Sequence, residues 1–158
     1  MAGKRAEASE TIAAGPERVY DLVSDLAQMG KWSPEAVGGR WVGGATGPAI
    51  GARFRGNNRS GWRRWSTVAT VIAADRGKRF AFRVTLGPFP ISEWTYHFEA
   101  TAEGTTRVIE RWLDLRSPFI EVPSRPVMGV YDRPEHNKAN MVRTLAVLKA
   151  SIENDEYT

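Results

Sequence analysis

Glu110 stands out among the ionisable residues because it alternates in phase with Val108 and Trp112. That phase places a carboxyl on an apolar strand face. Burial there raises its pKa unless an arginine or several N–H groups answer it. A carboxyl held protonated on such a face could serve as a general acid or base. It could equally be a structural acid paired with an arginine, or face water on a strand shifted by a bulge. Tyr96 and His136 are the other candidate catalytic groups, although a helical His136 can also be plain packing with one satisfied polar atom. Asn58 and Thr67 are placed to hydrogen-bond a ligand or merely to satisfy local backbone.

Other chemistries fail on inventory. The 158 residues include no cysteine, which removes disulfides, zinc-thiolate and iron–sulfur sites and a thiol nucleophile, and fits a reducing compartment. His97 and His136 are the two histidines and stand at unrelated spacing, so no metal site is expected. No nucleophile elbow, phosphate loop or dinucleotide fingerprint occurs, and no cofactor is expected. The formal net charge is +4, a mild excess. Arg53, Arg55, Arg59, Arg63 and Arg64 interleave with Phe54, Trp62 and Trp65, a pattern used on single-stranded nucleic acid. It is also the solvated face of an ordinary hairpin, and no nucleic-acid-binding motif supports the first reading, so nucleic acid is not expected.

These residues need elements to carry them. Gly15-Pro16-Glu17-Arg18 opens a helix, with Val19, Tyr20, Leu22, Val23 and Leu26 at helical spacing, and Asp25 restarts a second short helix carrying Met29. Ala6 to Ala13 reads as a strand ahead of them. From residue 35 to 116 the period changes to two. Strand candidates are Arg40-Trp41-Val42, Ala49 to Asn58, Trp65 to Val71, Phe80 to Leu86, Trp94 to Phe98 and Val108 to Leu113. Turn chemistry falls at Asn58-Arg59-Ser60-Gly61, Asp75-Arg76-Gly77-Lys78 and Glu103-Gly104, and Gly87-Pro88-Phe89-Pro90 breaks the pattern. Five or six strands in an antiparallel meander are the economical reading. Ser117 to Tyr131, with three prolines, reads as a lid-like connection. Asp132 then caps a last helix whose apolar stripe is Met141, Leu145, Leu148 and Ile152.

A sheet so formed must cover its apolar face, and only the last helix is long enough to do it. Phe54, Trp65, Phe80, Phe82, Trp94, Tyr96, Phe98 and Trp112 share that face with the small residues Gly56, Thr67 and Ala69. Such rings are either ordinary core or the wall of an apolar pocket. On the pocket reading, candidate ligand contacts are Phe54, Asn58, Trp65, Thr67, Phe82, Trp94, Tyr96, Phe98, Glu110 and Trp112 from the sheet. Trp32, Asn137, Met141 and Leu145 join them from the helices.

Several pieces then point one way: Ala13 to Asp25, Lys31-Trp32-Ser33-Pro34-Glu35, Gly51 to Asn58, Trp94 to Phe98, Gly104 to Val108 and Asp132 to Ala139 with Met141, Thr144, Leu145, Leu148 and Lys149. In order and spacing they resemble the polyketide cyclase/dehydrase and lipid-transport family of the START/Bet v 1-like (SRPBCC) superfamily. The resemblance implies an α+β helix-grip fold, a curved seven-stranded antiparallel sheet around a long C-terminal helix with two short helices. It also implies a cavity that takes lipids, sterols, plant hormones or polyketide intermediates. One domain over 1–158, with its core at about 7–153, is expected. The leading expectation is a cytoplasmic binder of a hydrophobic or aromatic small molecule, monomeric or homodimeric. The rival is a polyketide aromatase/cyclase using Glu110, Tyr96 and His136. No apolar stretch approaches a bilayer span, and the polar residues after Met1 are unlike a signal peptide.

Overall fold

Alternating small and aromatic residues drive a run of antiparallel pairings, and a four-residue apolar stripe drives the helix that covers them. In the computed structural model, residues 4–33, 36–116 and 133–154 are described. The chain forms β1 (Arg5–Ile12), α1 (Pro16–Ser24), a 3-10 helix (Leu26–Lys31), β2 (Ala36–Val42) and β3 (Arg53–Ser60). It continues as β4 (Arg63–Asp75), β5 (Arg79–Leu86), β6 (Phe89–Ala102), β7 (Thr105–Asp114) and a long helix, α2 (Arg133–Glu153). The sheet has seven strands in the order β1-β7-β6-β5-β4-β3-β2. Strands β2 to β7 thus form the meander, and β1 closes on the last of them. This is a helix-grip α+β fold.

Helix α1 starts with Pro16 at its first turn, where a missing N–H costs nothing. It buries Val19, Tyr20 and Val23 on the sheet. Tyr20 meets Phe80 and Phe98 edge-on, with ring centroids 6.0 and 5.5 Å away. Arg76, in the β4–β5 turn, donates to both carboxylate oxygens of Asp21 at 2.9 and 2.7 Å and so ties that turn to α1. Helix α2 buries Met141, Leu145, Leu148 and Ile152. Its far end is fastened to β1: Lys149 donates to the Thr11 carbonyl at 2.6 Å, and Glu153 accepts from the Ala13 N–H at 3.0 Å.

Several boundaries differ from the expectation, each for a local reason. The segment 49–52 is a turn rather than strand, closed by the Ala52 N–H on the Ala49 carbonyl. Strand β2 begins at Ala36, four residues before Arg40, because a bulge between Ala36 and Gly38 absorbs an irregular start. Phe89 and Pro90 belong to β6 instead of breaking it. Pro90 sits opposite Thr85 at a register shift, where a strand tolerates a residue without an N–H. The lid-like segment Ser117 to Tyr131 and the Asp132 cap lie outside the described residues.

Gly39 shows how closely the meander is fitted. It pairs with Gly56 at φ +151°. A Cβ there would overlap the Arg55 carbonyl oxygen and lie 2.7 Å from Phe54 Cε1. Phe54 can therefore stand on the concave face only because residue 39 has no side chain. Gly39→Ala should destabilise the protein by upwards of about 2 kcal/mol, from backbone strain plus overpacking. Urea denaturation would read this as a lowered midpoint, and an unchanged midpoint would refute the fit.

Candidate functional site

Cross-strand partners on the concave face set the site. From β6 to β7, Tyr96 faces Glu110, Trp94 faces Trp112 and Ser92 faces Asp114. On the other side of β6, Phe82 of β5 faces Trp94. Between β3 and β4 the pairs are Phe54 with Ala69, Gly56 with Thr67 and Asn58 with Trp65. Each of these β3–β4 pairs sets a large group against a smaller one, or joins two small ones. The small members leave unfilled space between the sheet and α2, a cavity of about 170 Å³.

The cavity wall brings together Phe54, Asn58, Trp65, Thr67, Phe82, Trp94, Tyr96, Glu110, Trp112, Asn137 and Met141. Four other residues named from the sequence lie elsewhere. Phe98 packs beneath Tyr20 of α1. Trp32, at the end of the 3-10 helix, and Leu145, one turn beyond Met141, are buried in the core. His136 places its Nε2 3.1 Å from Asn140 Nδ2 and is not part of the wall. Asn58 Nδ2 donates to Thr67 Oγ1 at 3.2 Å, so each satisfies the other while both border the space.

Glu110 is 2% exposed. Tyr96 donates its hydroxyl to Glu110 Oε1 at 2.6 Å. Oε2 is buried and has no hydrogen-bond partner among the described residues. Burial pushes the Glu110 carboxyl up to about 8, and the Tyr96 hydrogen bond offsets only part of that rise. Burial, reinforced by the neighbouring Glu110, likewise holds the Tyr96 phenol well above its ordinary range. At neutral pH the pair is therefore an uncharged carboxylic acid braced by an uncharged phenol.

Sequence reasoning missed a second buried pair. Asp114 and Arg116 side chains are each 4% exposed and form a two-pronged bridge, with Arg116 Nε 3.0 Å from Asp114 Oδ1 and Nη2 2.8 Å from Oδ2. Arg116 also borders the cavity. The signal was present: Val108, Glu110, Trp112, Asp114 and Arg116 keep one period-two phase, which runs past the end of β7. Asn140 and Thr144, also missed, share a face of α2 with Asn137 and Met141. Thr144 donates to the Asn140 carbonyl at 2.7 Å. Among the described residues no group of three or more His, Asp or Glu is placed to hold a metal, and no helix is long and apolar enough to cross a membrane.

The site is thus a ring-lined hollow between a curled sheet and the one helix it grips. Residues 4–153 match the family described as polyketide cyclase / dehydrase and lipid transport, and the chain belongs to that family. It is similar to the polyketide-cyclase-like protein Cgl2372 of Corynebacterium glutamicum, at 28% identity and TM-score 0.64, covering 99% of this chain and 98% of that one. TTHA0849 of Thermus thermophilus shares the fold at 23% identity and TM-score 0.65, covering 95% and 97%. So does BexL, a di-domain ARO/CYC from the BE-7585A biosynthetic pathway, at 19% identity and TM-score 0.66. That match covers 98% of this chain and 48% of BexL, so the chain spans about half of it. No curated protein matches this chain.

The Glu110 geometry has a consequence for stability. The folded carboxyl keeps its proton up to about pH 8, whereas an ordinary carboxyl, as in the unfolded chain, releases it near 4.5. Between those values the native state binds the extra proton, so stability falls as pH rises and levels off above the upper one. The loss across this window should amount to a few kcal/mol. Glu110→Gln should flatten the slope, and urea midpoints across the window, compared between the two proteins, would read it. Parallel curves would mean that Glu110 does not carry the proton.

Proposed function

We propose that this protein binds a hydrophobic or aromatic small molecule, lipid-like or polyketide-like, in the cavity between sheet and α2. The observation that carries this reading is the hollow itself: about 170 Å³, walled by Phe54, Trp65, Phe82, Trp94 and Trp112. An apolar cavity of about 150 Å³ stays dry and takes up benzene, so a hollow of this size and lining favours ring compounds. Burial of ligand surface supplies the affinity, and the few polar atoms of the wall orient the ligand. The family supports the reading, since its description joins polyketide chemistry to lipid transport.

A second reading has its own support. A carboxyl that keeps its proton at neutral pH, braced by a phenol inside an apolar cavity, is a competent general acid. In an aromatase/cyclase, Glu110 would protonate a ketone oxygen of the substrate as a carbon nucleophile attacks, and Tyr96 would hold the carboxyl in place. His136 would take no direct part from its position outside the wall. Turnover of a poly-β-ketone that survives in Glu110→Gln would remove Glu110 from that mechanism.

Filling the hollow tests the binding reading. Ala69 lies in the wall opposite Phe54, and Ala69→Met would project a flexible apolar chain into the space. The native protein should quench its tryptophan emission on titration with 2-naphthol and should carry a co-purified small molecule in native mass spectrometry. Ala69→Met should lose both while keeping its circular dichroism spectrum. Equal binding by both proteins would place the ligand elsewhere.

A further inference from the structure

In sequence the arginines of the β3–β4 hairpin interleave with aromatic rings, but the fold separates the two. Phe54 and Trp65 line the cavity, whereas Arg55, Arg59 and Arg64 alternate with them onto the opposite, solvent-facing side. Trp62 belongs to neither set. It sits in the turn between the strands and is 81% exposed, more than any other large apolar side chain described. Strand β2 reaches along β3 only to Asn58, and β5 reaches along β4 only to Val68. The last two rungs of the hairpin, Arg59 with Arg64 and Ser60 with Arg63, therefore have a neighbouring strand on neither side. The tip projects from the sheet with an indole at its end.

Charge on this hairpin is one-signed. Strands β2 and β3 carry no carboxylate, and β4 carries only Asp75 at its far end. Arg40 lies directly opposite Arg55, and Arg59 directly opposite Arg64. Like charges so placed disfavour the folded sheet. None of these four pairs with a carboxylate among the described residues. An anionic partner would relieve both juxtapositions. Single-stranded nucleic acid needs rings beside the arginines on which bases can stack. Here Phe54 and Trp65 are turned to the cavity, and Arg63 lies over the Trp62 ring, its guanidinium 4.4 Å from the centroid. An anionic bilayer asks for something different: a projecting amphipathic ring at headgroup level with cations around it. The arginine stem then covers the ring while its charge reaches a phosphate. Leu86 and Phe89, both exposed, flank the β5–β6 turn at the same end of the meander and add apolar surface there.

We propose that the tip of the β3–β4 hairpin docks this protein on the surface of an anionic lipid bilayer, with the Trp62 indole among the headgroups and Arg59, Arg63 and Arg64 on lipid phosphates. The docking is peripheral, since no described helix is long and apolar enough to cross a membrane. It uses a surface separate from the cavity, whose wall includes none of these four residues.

Flotation with extruded vesicles tests the proposal, using phosphatidylcholine alone and phosphatidylcholine with about one-third phosphatidylglycerol. The protein should float with the anionic vesicles, remain behind with the neutral ones, and be released by added salt. Trp62→Ala should weaken binding at least about fivefold through lost apolar burial. The double variant Arg59→Ala, Arg64→Ala should weaken it about twenty-fivefold, at roughly fivefold per arginine. Both variants should keep the native circular dichroism spectrum, because the changed side chains are exposed. No flotation with anionic vesicles would overturn the proposal and leave the cavity reading untouched. Equal flotation with neutral vesicles would overturn the role of the arginines, and undiminished binding by Trp62→Ala would overturn the role of the tip. Salt-sensitive binding of single-stranded oligothymidine without vesicle binding would overturn the proposal in favour of a nucleic-acid surface.

Discussion

A seven-stranded sheet can cover its concave face with one helix only by curling, and curl creates more volume than one helical stripe fills. Met141, Leu145, Leu148 and Ile152 meet the sheet along a single line of α2. Beside that line, the pairing of Phe54 with Ala69 and of Gly56 with Thr67 decides whether the surplus is filled. At the closed end it is filled: α1 inserts Tyr20 between Phe80 and Phe98. Towards the start of α2 it is not, and the cavity is the result. Closure is held by ordinary contacts, Arg76 on Asp21 at one turn and Lys149 on the Thr11 carbonyl at the helix end. Both are exposed and screened, so they set position more than stability. The hollow is therefore a property of the fold's geometry, while its shape is a property of a few residue sizes.

Strand β7 and its continuation bury polar groups in two different ways within seven residues. Asp114 and Arg116 neutralise one another through a two-pronged bridge, so the wall receives a charged pair with little net field. Among the described residues Glu110 has no such partner. The acid is instead relieved of its charge by keeping its proton. The contrast follows from position. Asp114 lies at the strand end, where the chain continues directly into Arg116, and the Arg116 N–H also donates to Asp114 Oδ1 at 2.9 Å. Glu110 lies mid-strand, between Ala8 of β1 and Tyr96 of β6, neither of which carries a cation.

Much of this architecture is legible in the residues, and the remainder is not for identifiable reasons. Period-two alternation reports which face a side chain takes, and it placed Glu110, Tyr96 and Trp112 on one face without coordinates. It does not report depth along the strand. Phe98 and Tyr96 share a face, yet two residues decide that one meets α1 and the other meets the cavity. Helical spacing has the same limit: Leu145 continues the stripe of Met141 but sits a turn below the hollow. The direct opposition of Tyr96 and Glu110 needs the register of β6 on β7, which the turn at Gly104 and a bulge between Ala100 and Ala102 set jointly. Arg116 escaped because arginines elsewhere in the meander point to solvent, and because the phase of β7 persists beyond its last ladder bond.

Burying an acid with one unanswered oxygen carries a stability penalty that an apolar side chain of similar size would avoid. Leucine at position 110 would pack the same wall and leave no orphan atom. The pH dependence argued for Glu110 means that the penalty grows towards neutrality, where the native state must either hold an unusual proton or bury a charge. Nothing in the packing of β1, β6 or α2 uses Oε2, so the packing gives no reason for it to be polar. Tyr96 reinforces the point, because its hydroxyl fixes the orientation of the carboxyl rather than satisfying both oxygens.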